Sequence, residues 1–487
     1  MGHKFTEAGT DAPPETRSLR QPGGGLVVAR FTGAELNKWS ILTMTIAGSG
    51  FSVLSMNRLS NLTRPASWTP FRRVWLATTI SRLGDGVIVL TLPLLAKALT
   101  NTPSAVAGVA VAEALPWLVL GLLGGALVDR MDRRRVMLLA DAFRMILMGI
   151  TAVAVVGGWL TLPMIYVAAF LLGTGEAFFD SASQAILPDL VTDEALERAN
   201  AQLSSSEILT FQLAGPPLGA LLFLGAAFLP LAANAASFAL AVALVASVSG
   251  SFRSTGVDPE PDLATPRALT REVGEGLRWL ARHRVLRTIA LIQGAMNLFF
   301  IAAISVFAIF ALDVLRTGEV GYGLIFSVGG IGGLVGCATA TRISALVGSG
   351  RVMVGAILLT GGSFVAVALA RNAVATAALF ALVFYSAALW TVLSSALRQR
   401  LVPAELAGRV TSACRTISMG TIPLGAVLGG FLGEVFGTGS PFLVGGIAMI
   451  AIAFPASRVV NNRSVAAARS SASPRGVDRR AGAAIEV

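Results

Sequence analysis

Two acidic side chains, Glu176 and Asp180, stand four residues apart inside the apolar stretch at 163–186. In an α-helix, residues at positions i and i+4 project from one face, so the two carboxylates should lie close together. Carboxylates that close disfavour simultaneous ionisation, so one of the two can hold a proton. The pair is therefore a candidate for taking up and releasing a proton in an apolar environment.

Other acidic residues also stand in apolar stretches, where an ionisable side chain is costly and is a functional candidate by default. The candidate proton-coupling residues are Asp85, Glu113, Glu176, Asp180 and Glu207. Histidine does not compete for this role, because His3 and His283 lie outside the apolar stretches. An ion pair or a solvated helix end is the alternative for each carboxylate, and Arg82 with Asp85, three residues apart, is equally consistent with a static local pair.

A second group of polar and aromatic residues suggests a wall that contacts a lipophilic molecule. The candidate substrate-cavity residues are Arg82, Gln293, Asn297, Phe300, Tyr385 and Trp390. Ordinary packing between helices is the alternative for the aromatic members.

The composition indicates that these residues are carried by membrane helices. The chain is 54% hydrophobic and 13% charged, against about 25% charged residues in soluble domains, and its mean hydropathy is +0.72. Apolar stretches long enough to cross a bilayer recur along it. They predict twelve spans, at 74–96, 105–128, 136–156, 163–186, 200–225, 229–250, 286–312, 321–343, 352–370, 374–396, 410–433 and 441–460.

The basic residues predict the orientation of these spans. Seventeen arginines fall on one side, in connections or at the ends of spans, and only Lys97, Arg316 and Arg371 fall on the other. The positive-inside rule therefore predicts a multi-pass cell-membrane protein with both termini in the cytoplasm. It also accounts for the net charge of +11 better than nucleic-acid binding does.

Nothing in the sequence indicates enzymatic chemistry. Cys337 and Cys414 stand alone in apolar stretches, and no phosphate-binding loop, metal-ligand cluster or nucleophile motif is present. We expect no enzyme activity, no cofactor and no bound metal. An ion gradient is then the expected energy source.

An internal repeat divides the chain into two similar parts. With a shift of 211 residues, "LVTDEALERANAQ" at 190 falls on "LVPAELAGRVTSA" at 401, and Gly219 falls on Gly430. Two homologous halves of six spans are expected of transporters that rock one half against the other. The predicted fold is therefore an all-α polytopic membrane protein with twelve transmembrane helices in two homologous six-helix halves.

The domain boundaries follow from this division. Residues 71–250 form the N-terminal half, 251–285 a cytoplasmic linker with an amphipathic helix, 286–460 the C-terminal half, and 461–487 a basic cytoplasmic tail. Residues 1–70 form an extension, either disordered or produced by a mis-assigned start. In the latter case Met56 is the expected start, so whether residues 1–55 are translated stays open.

The stretch "GALVDRMDRRRVM" resembles the loop between spans two and three of the major facilitator superfamily. Gly125, Asp129, Arg130, Arg133 and Arg134 match its pattern, whereas Asp132 replaces the usual glycine. That variation, "LPDLVTDEALERANA" and "VGYGLIFSVGGIGGLVG" are similar to the macrolide-efflux and enterobactin-exporter-like branch. The resemblance implies that this loop is a gate; a loop that only sets topology is the alternative.

In the predicted span at 200–225, Gly215, Pro216 and Gly219 resemble the glycine-proline motif of antiporter branches of the superfamily. Proline kinks a membrane helix and glycines allow a neighbouring helix to approach. An ordinary kink is the alternative. The match favours export over uptake.

Together these features predict a proton-coupled secondary transporter that exports small lipophilic or amphipathic molecules, of antibiotic or siderophore type, by alternating access. Its expected partners are protons, a small-molecule substrate and the lipid bilayer, without nucleic acid, and we expect a monomer. A nutrient uptake symporter and a non-transporting membrane receptor are the alternatives. The substrate, the proton-carrying carboxylate and the oligomeric state are not determined by the sequence.

Overall fold

The computed structural model describes residues 69–128, 131–250, 252, 266–403 and 406–462. Within these ranges, side chains are described except at 69, 118–128, 193, 194, 197, 266–273, 407, 408, 412 and 415. The candidate gate residues Asp129 and Arg130, the proposed start at Met56 and the basic tail from residue 463 onward therefore lie outside the described residues.

The described residues form a bundle of long helices with short connections, which confirms the predicted all-α architecture. The spans are span 1 (Thr69–Leu99), span 2 (Pro103–Val128), span 3 (Arg133–Val156), span 4 (Leu162–Ala185), span 5 (Asp193–Glu207, continued by Ile208–Ala214 and Gly215–Gly225), span 6 (Leu229–Ala246), span 7 (Arg284–Ser305, continued by Phe307–Ile309 and Phe310–Val314), span 8 (Gly318–Val347), span 9 (Ser349–Leu369), span 10 (Ala373–Leu401), span 11 (Ala407–Phe436) and span 12 (Ser440–Val459). A short helix, Leu187–Leu190, follows span 4, and the linker helix, Pro266–Arg282, precedes span 7.

Among the described residues, eleven of these helices are long and apolar enough to cross a membrane. The remaining one, span 2, has 26 residues, which is about 39 Å of helix and exceeds the thickness of a hydrocarbon core. Its sequence contains a single ionisable residue, Glu113. The twelve predicted spans thus each correspond to a helix.

Spans 5 and 7 each contain a π-helical segment, at Ile208–Ala214 and Phe310–Val314. In span 5 the segment is followed by Gly215, whose N–H donates to the carbonyl of Thr210, five residues back. Pro216 and Pro217 follow and have no N–H to donate, so the regular helical hydrogen-bond ladder is interrupted there.

The bundle has two distinct ends. The short-loop end carries the connections at 100–102, 157–161, 226–228, 315–317, 370–372 and 437–439. The opposite end, the arginine-rich end, carries Arg133, Arg134, Arg135 and the linker helix.

The first six and last six spans contact each other near the short-loop end. Lys97 in span 1 forms an ion pair with Asp313 in span 7, with 2.9 Å between Nζ and Oδ2. A Cβ on Gly430 of span 11 would lie 2.8 Å from Cα of Ser104 in span 2, so these two helices touch through their backbones. Gly323 of span 8 approaches Pro216, Pro217 and Ala220 of span 5 in the same way.

Candidate functional site

Six charged side chains from spans 1, 3 and 4 form a buried charge cluster in the first half. Its members are Arg82, Asp85, Asp141, Arg144, Glu176 and Asp180. Side-chain exposure is 0% at Arg144 and reaches only 19% at Glu176, the most exposed member. Charges this deeply buried persist only when they are paired or neutralised by protons.

Arg82 joins span 1 to span 4. Its guanidinium donates a 2.6 Å hydrogen bond to Glu176 Oε1 and a second hydrogen bond to Asp180 Oδ1. Asp85, its neighbour on span 1, lies 3.6 Å away. Arg82 therefore makes its shorter contacts with the carboxylates of span 4, and the two carboxylates predicted to share a helix face both meet one cation.

Arg144 joins span 3 to span 1. Its guanidinium donates hydrogen bonds of 3.2 and 3.3 Å to the two oxygens of Asp85, one to Asp141 Oδ1, and one of 3.1 Å to Ser81 Oγ. The rings of Phe179 and Phe238 lie 4.9 and 4.3 Å from its central carbon, an arrangement that favours a cation over the ring faces. Asp85 is thus shared between two arginines on different helices.

Asp141 and Arg144 are absent from the residues predicted by sequence. They satisfy the criterion that selected the others, because both are ionisable and both stand inside the predicted span at 136–156. Their three-residue spacing also predicts a local pair on one helix face. The remote contact of Arg144 with Asp85, by contrast, depends on how the helices pack.

A glycine on span 4 makes room for Arg144. A Cβ built on Gly175 would lie 2.7 Å from Cγ and 3.0 Å from Cδ of Arg144. The arginine side chain therefore crosses span 4 where the helix has no side chain. A Cβ at position 175 therefore fits only if the Cγ and Cδ atoms of Arg144 move.

Two further predicted carboxylates lie at the margin of the cluster. Glu113 of span 2 is half-buried and forms neither an ion pair nor a hydrogen bond with any described residue. Its carbonyl oxygen would be 2.3 Å from a Cβ on Gly173, so span 2 packs closely against span 4 there. Glu207 is exposed at the point where span 5 changes to the π-helical segment.

The described part of the predicted gate loop contacts other elements of the first half. Asp132, the residue that departs from the predicted loop pattern, caps span 3 by accepting a 3.0 Å hydrogen bond from the N–H of Arg134. Arg133 pairs at 2.6 Å with Asp189 of the short helix after span 4. Arg134 donates hydrogen bonds of 3.1 and 2.8 Å to the carbonyls of Val245 and Ala246 at the end of span 6.

Gly125 lies in span 2, within the stretch whose side chains are not described. The pairing of Asp129 with arginines falls outside the described residues. The gating role of the loop stays a prediction.

The predicted glycine-proline motif lies where span 5 meets spans 1 and 8. A Cβ on Gly215 would be 2.5 Å from Cα of Gly86, and one on Gly219 would be 2.3 Å from the carbonyl oxygen of Val87. The carbonyl of Pro216 approaches Gly323 of span 8. The two glycines permit close contact with span 1, and the proline lies at a contact between the halves.

The predicted cavity residues of the second half are only partly exposed. Trp390 is fully buried, and its indole N–H donates a 2.7 Å hydrogen bond to Gln293. Gln293 in turn donates at 3.2 Å to Asn297. Phe300 packs against Phe384, and Tyr385 lies near Thr339. In this conformation Trp390 orients Gln293 and has no exposed surface of its own.

Comparison with known proteins gives the family of this chain. A family profile described as "transmembrane secretion effector" matches residues 60–478. The chain belongs to the major facilitator superfamily. This membership confirms the resemblance seen in the loop between spans 2 and 3, and the superfamily consists of membrane transporters rather than enzymes.

Named relatives cover most of the chain. The multidrug efflux pump Tap of Mycolicibacterium fortuitum is 25% identical over 390 residues, which span 78% of this chain and 93% of the relative. The macrolide efflux protein A of Streptococcus pyogenes is 23% identical over 403 residues, which span 79% and 94%.

Solved structures share the fold at lower identity. A mutant form of the nucleoside transporter NupG matches with a TM-score of 0.65 and 12% identity over 80% of this chain and all of that chain. A bacterial homologue of the iron transporter ferroportin, in an inward-facing state, matches with a TM-score of 0.63 and 16% identity over 80% of this chain and 98% of its own. The two-half, twelve-span fold is thereby confirmed.

Proposed function

We propose that this protein is a proton-coupled exporter of small lipophilic or amphipathic molecules in the cell membrane. The first half holds the exchangeable protons in its buried charge cluster, and residues 71–250 rock against residues 286–460 during transport. The arginine-rich end faces the cytoplasm. Single monomers carry out the cycle.

The buried charge cluster is the observation that carries this proposal. Its carboxylates outnumber its guanidinium groups, and all of them lie where an unpaired charge is costly. A carboxylate in such a place exchanges a proton when its cationic partner moves away. Rearrangement of spans 1, 3 and 4 would therefore be linked to proton uptake or release.

The contacts between the halves support an alternating-access cycle. Those at Lys97, Ser104 and Gly323 all lie near the short-loop end. A molecule closed at that end offers access from the arginine-rich end, which the positive-inside rule assigns to the cytoplasm. Such a conformation suits the loading step of an exporter.

The direction and the substrate class are inferred from relatives. Two relatives that cover more than three quarters of the chain are named as multidrug and macrolide efflux proteins. At 23–25% identity they support export of a lipophilic compound without identifying it.

Reconstitution of the purified full chain in lipid vesicles tests this proposal. A proton gradient is imposed, and the internal pH is followed while macrolides, cationic dyes and siderophores are added one at a time. We expect one compound to cause proton release and to be transported in the direction opposite to the proton flux. Transport of a compound in the same direction as the inward proton flux would establish an uptake symporter instead. If no compound changes the internal pH although the protein is folded, the receptor is favoured.

The matched control for this experiment is Glu434→Gln. Glu434 is an exposed carboxylate in span 11, outside the charge cluster. The substitution removes one acidic group without touching the proposed proton site, so its transport should equal that of the unmodified chain.

A further inference from the structure

The charge cluster divides into two parts of equal composition. Arg82 faces Glu176 and Asp180, and Arg144 faces Asp85 and Asp141. Asp85 links the two parts, because it lies 3.2 Å from Arg144 and 3.6 Å from Arg82. Each guanidinium therefore meets two carboxylates.

We propose that the cluster binds two protons in this conformation, and that the carboxyl group of Asp141, paired with Arg144 on span 3, is the second proton site. Four carboxylates against two guanidinium groups leave two negative charges unmatched. Arginine does not lose its proton in a protein, so only the carboxyl groups can restore neutrality. This inference rests on the proposed function and adds a second proton site to the pair Glu176 and Asp180.

Surrounding groups do not balance these charges. Span 6, which packs on spans 1 and 3, contains no ionisable residue. Span 2 contributes Glu113, which is another acid. Span 5 contributes the exposed Glu207, and its only described basic group, Arg198, stands nine residues earlier, about 13 Å along the helix. The added groups near the cluster are therefore mainly acidic.

The hydrogen bonds of Asp141 agree with a bound proton. Its Oδ1 accepts hydrogen bonds from Arg144 and, at 3.5 Å, from Ser81 Oγ, whereas its Oδ2 is buried without a hydrogen-bond partner among the described residues. A buried carboxylate oxygen without a donor is costly when it is charged. Protonation removes the negative charge from this oxygen and leaves the smaller cost of a buried O–H group.

A sharing arrangement also explains why two helices supply arginines. When Asp85 pairs with Arg144, only the two carboxylates of span 4 pair with Arg82. When Asp85 pairs with Arg82, only Asp141 pairs with Arg144. A small displacement of span 1 relative to span 3 thus moves one negative charge from one part of the cluster to the other, so that one part takes up a proton when the other releases one.

Infrared spectroscopy of the full chain at neutral pH, in vesicles of ether-linked lipids that carry no ester C=O group, tests the inference. The quantity measured is the C=O stretching band of protonated carboxyl groups, normalised to the amide band. Glu113→Gln serves as the background, because a protonated Glu113 would contribute to the same band. No substrate and no gradient are needed.

Three variants in this background give distinct expected results. Asp141→Asn leaves three carboxylates and two guanidinium groups, so the band should fall by about half. Arg144→Gln leaves four carboxylates and one guanidinium group, so the band should rise by about half. The double variant leaves three carboxylates and one guanidinium group, so its band should equal that of the background. Glu434→Gln should change nothing.

An unchanged band in Asp141→Asn would overturn the two-proton inference, as would a fall in Arg144→Gln. A merely structural role for Arg144 predicts no rise on its removal. If Arg144→Gln does not fold, the bands of Asp141→Asn and of the double variant still test the two-proton inference. Proton-coupled transport with an unchanged band in Asp141→Asn would refute the second site only, whereas the expected bands without any transport would refute the proposed function only.

Discussion

The passage of Arg144 across span 4 makes Gly175→Ala a sensitive perturbation. The added Cβ would lie 2.7 Å from Cγ of an arginine that is fully buried and held at both Asp85 and Asp141. Neither partner can follow the guanidinium without breaking its own contacts. Overpacking of this kind costs about 1–3 kcal/mol.

Gly149→Ala in span 3 isolates this cost, because a Cβ there meets nothing within 4 Å. Both variants gain the same helix propensity, about 1 kcal/mol. The difference between their unfolding free energies should therefore be about 1–3 kcal/mol, with Gly175→Ala the less stable. Denaturant titration in mixed detergent micelles measures it, and equal stabilities would refute the placement of Arg144 against span 4.

Three further perturbations test other contacts. Lys97→Asp should separate the halves at the short-loop end, and adding Asp313→Lys should restore their contact. Spin-label distances between spans 2 and 11 measure this separation. An unchanged distance in Lys97→Asp would contradict the role of the 2.9 Å ion pair. Arg134→Ala loses two hydrogen bonds to the end of span 6 and should destabilise by about 1–3 kcal/mol relative to the exposed control Arg135→Ala; equal melting would exclude this contribution. Burial lowers the pKa of His283 from its ordinary value of 6.5, and its Nδ1 accepts a hydrogen bond from the N–H of Leu286. Thermal stability should therefore fall as the pH drops below about 6.5. His283→Gln should weaken this dependence, and an unaltered pH profile in this variant would contradict the prediction.

The spans were predictable because a membrane helix needs a long apolar stretch, and the connections interrupt those stretches with charge, glycine and proline. The π-helical segment at Ile208–Ala214 was not, since its seven residues have no composition that separates them from an ordinary helix. Proline after it predicted only a kink. The exact register depends on how spans 1 and 8 press against span 5.

The candidate site was predictable in its residue types and only partly in its pairing. Spacing places Glu176 and Asp180 on one face, and the structure brings both to Arg82. The same spacing rule pointed Arg82 at Asp85, which is its longer contact at 3.6 Å. Pairing across 94 and 98 residues of chain depends on helix packing, which a single sequence does not reveal.

Trp390 illustrates the other limit of sequence. An aromatic residue in a membrane helix has the same local pattern whether it faces a cavity or a neighbouring helix. Its full burial and its hydrogen bond to Gln293 follow from the packing of span 10 against span 7. The contact could not be inferred from the spacing of either helix.

Proton release by Glu176→Gln with Asp180→Asn tests the central claim most directly. This double variant leaves two carboxylates for two guanidinium groups, so the cluster is balanced without protons and should fold. In vesicles, the compound that releases protons through the unmodified chain should bind the variant and exchange across the membrane without proton movement. Proton release at the unmodified rate, in variant protein shown to be folded, would contradict the assignment of proton coupling to the buried charge cluster.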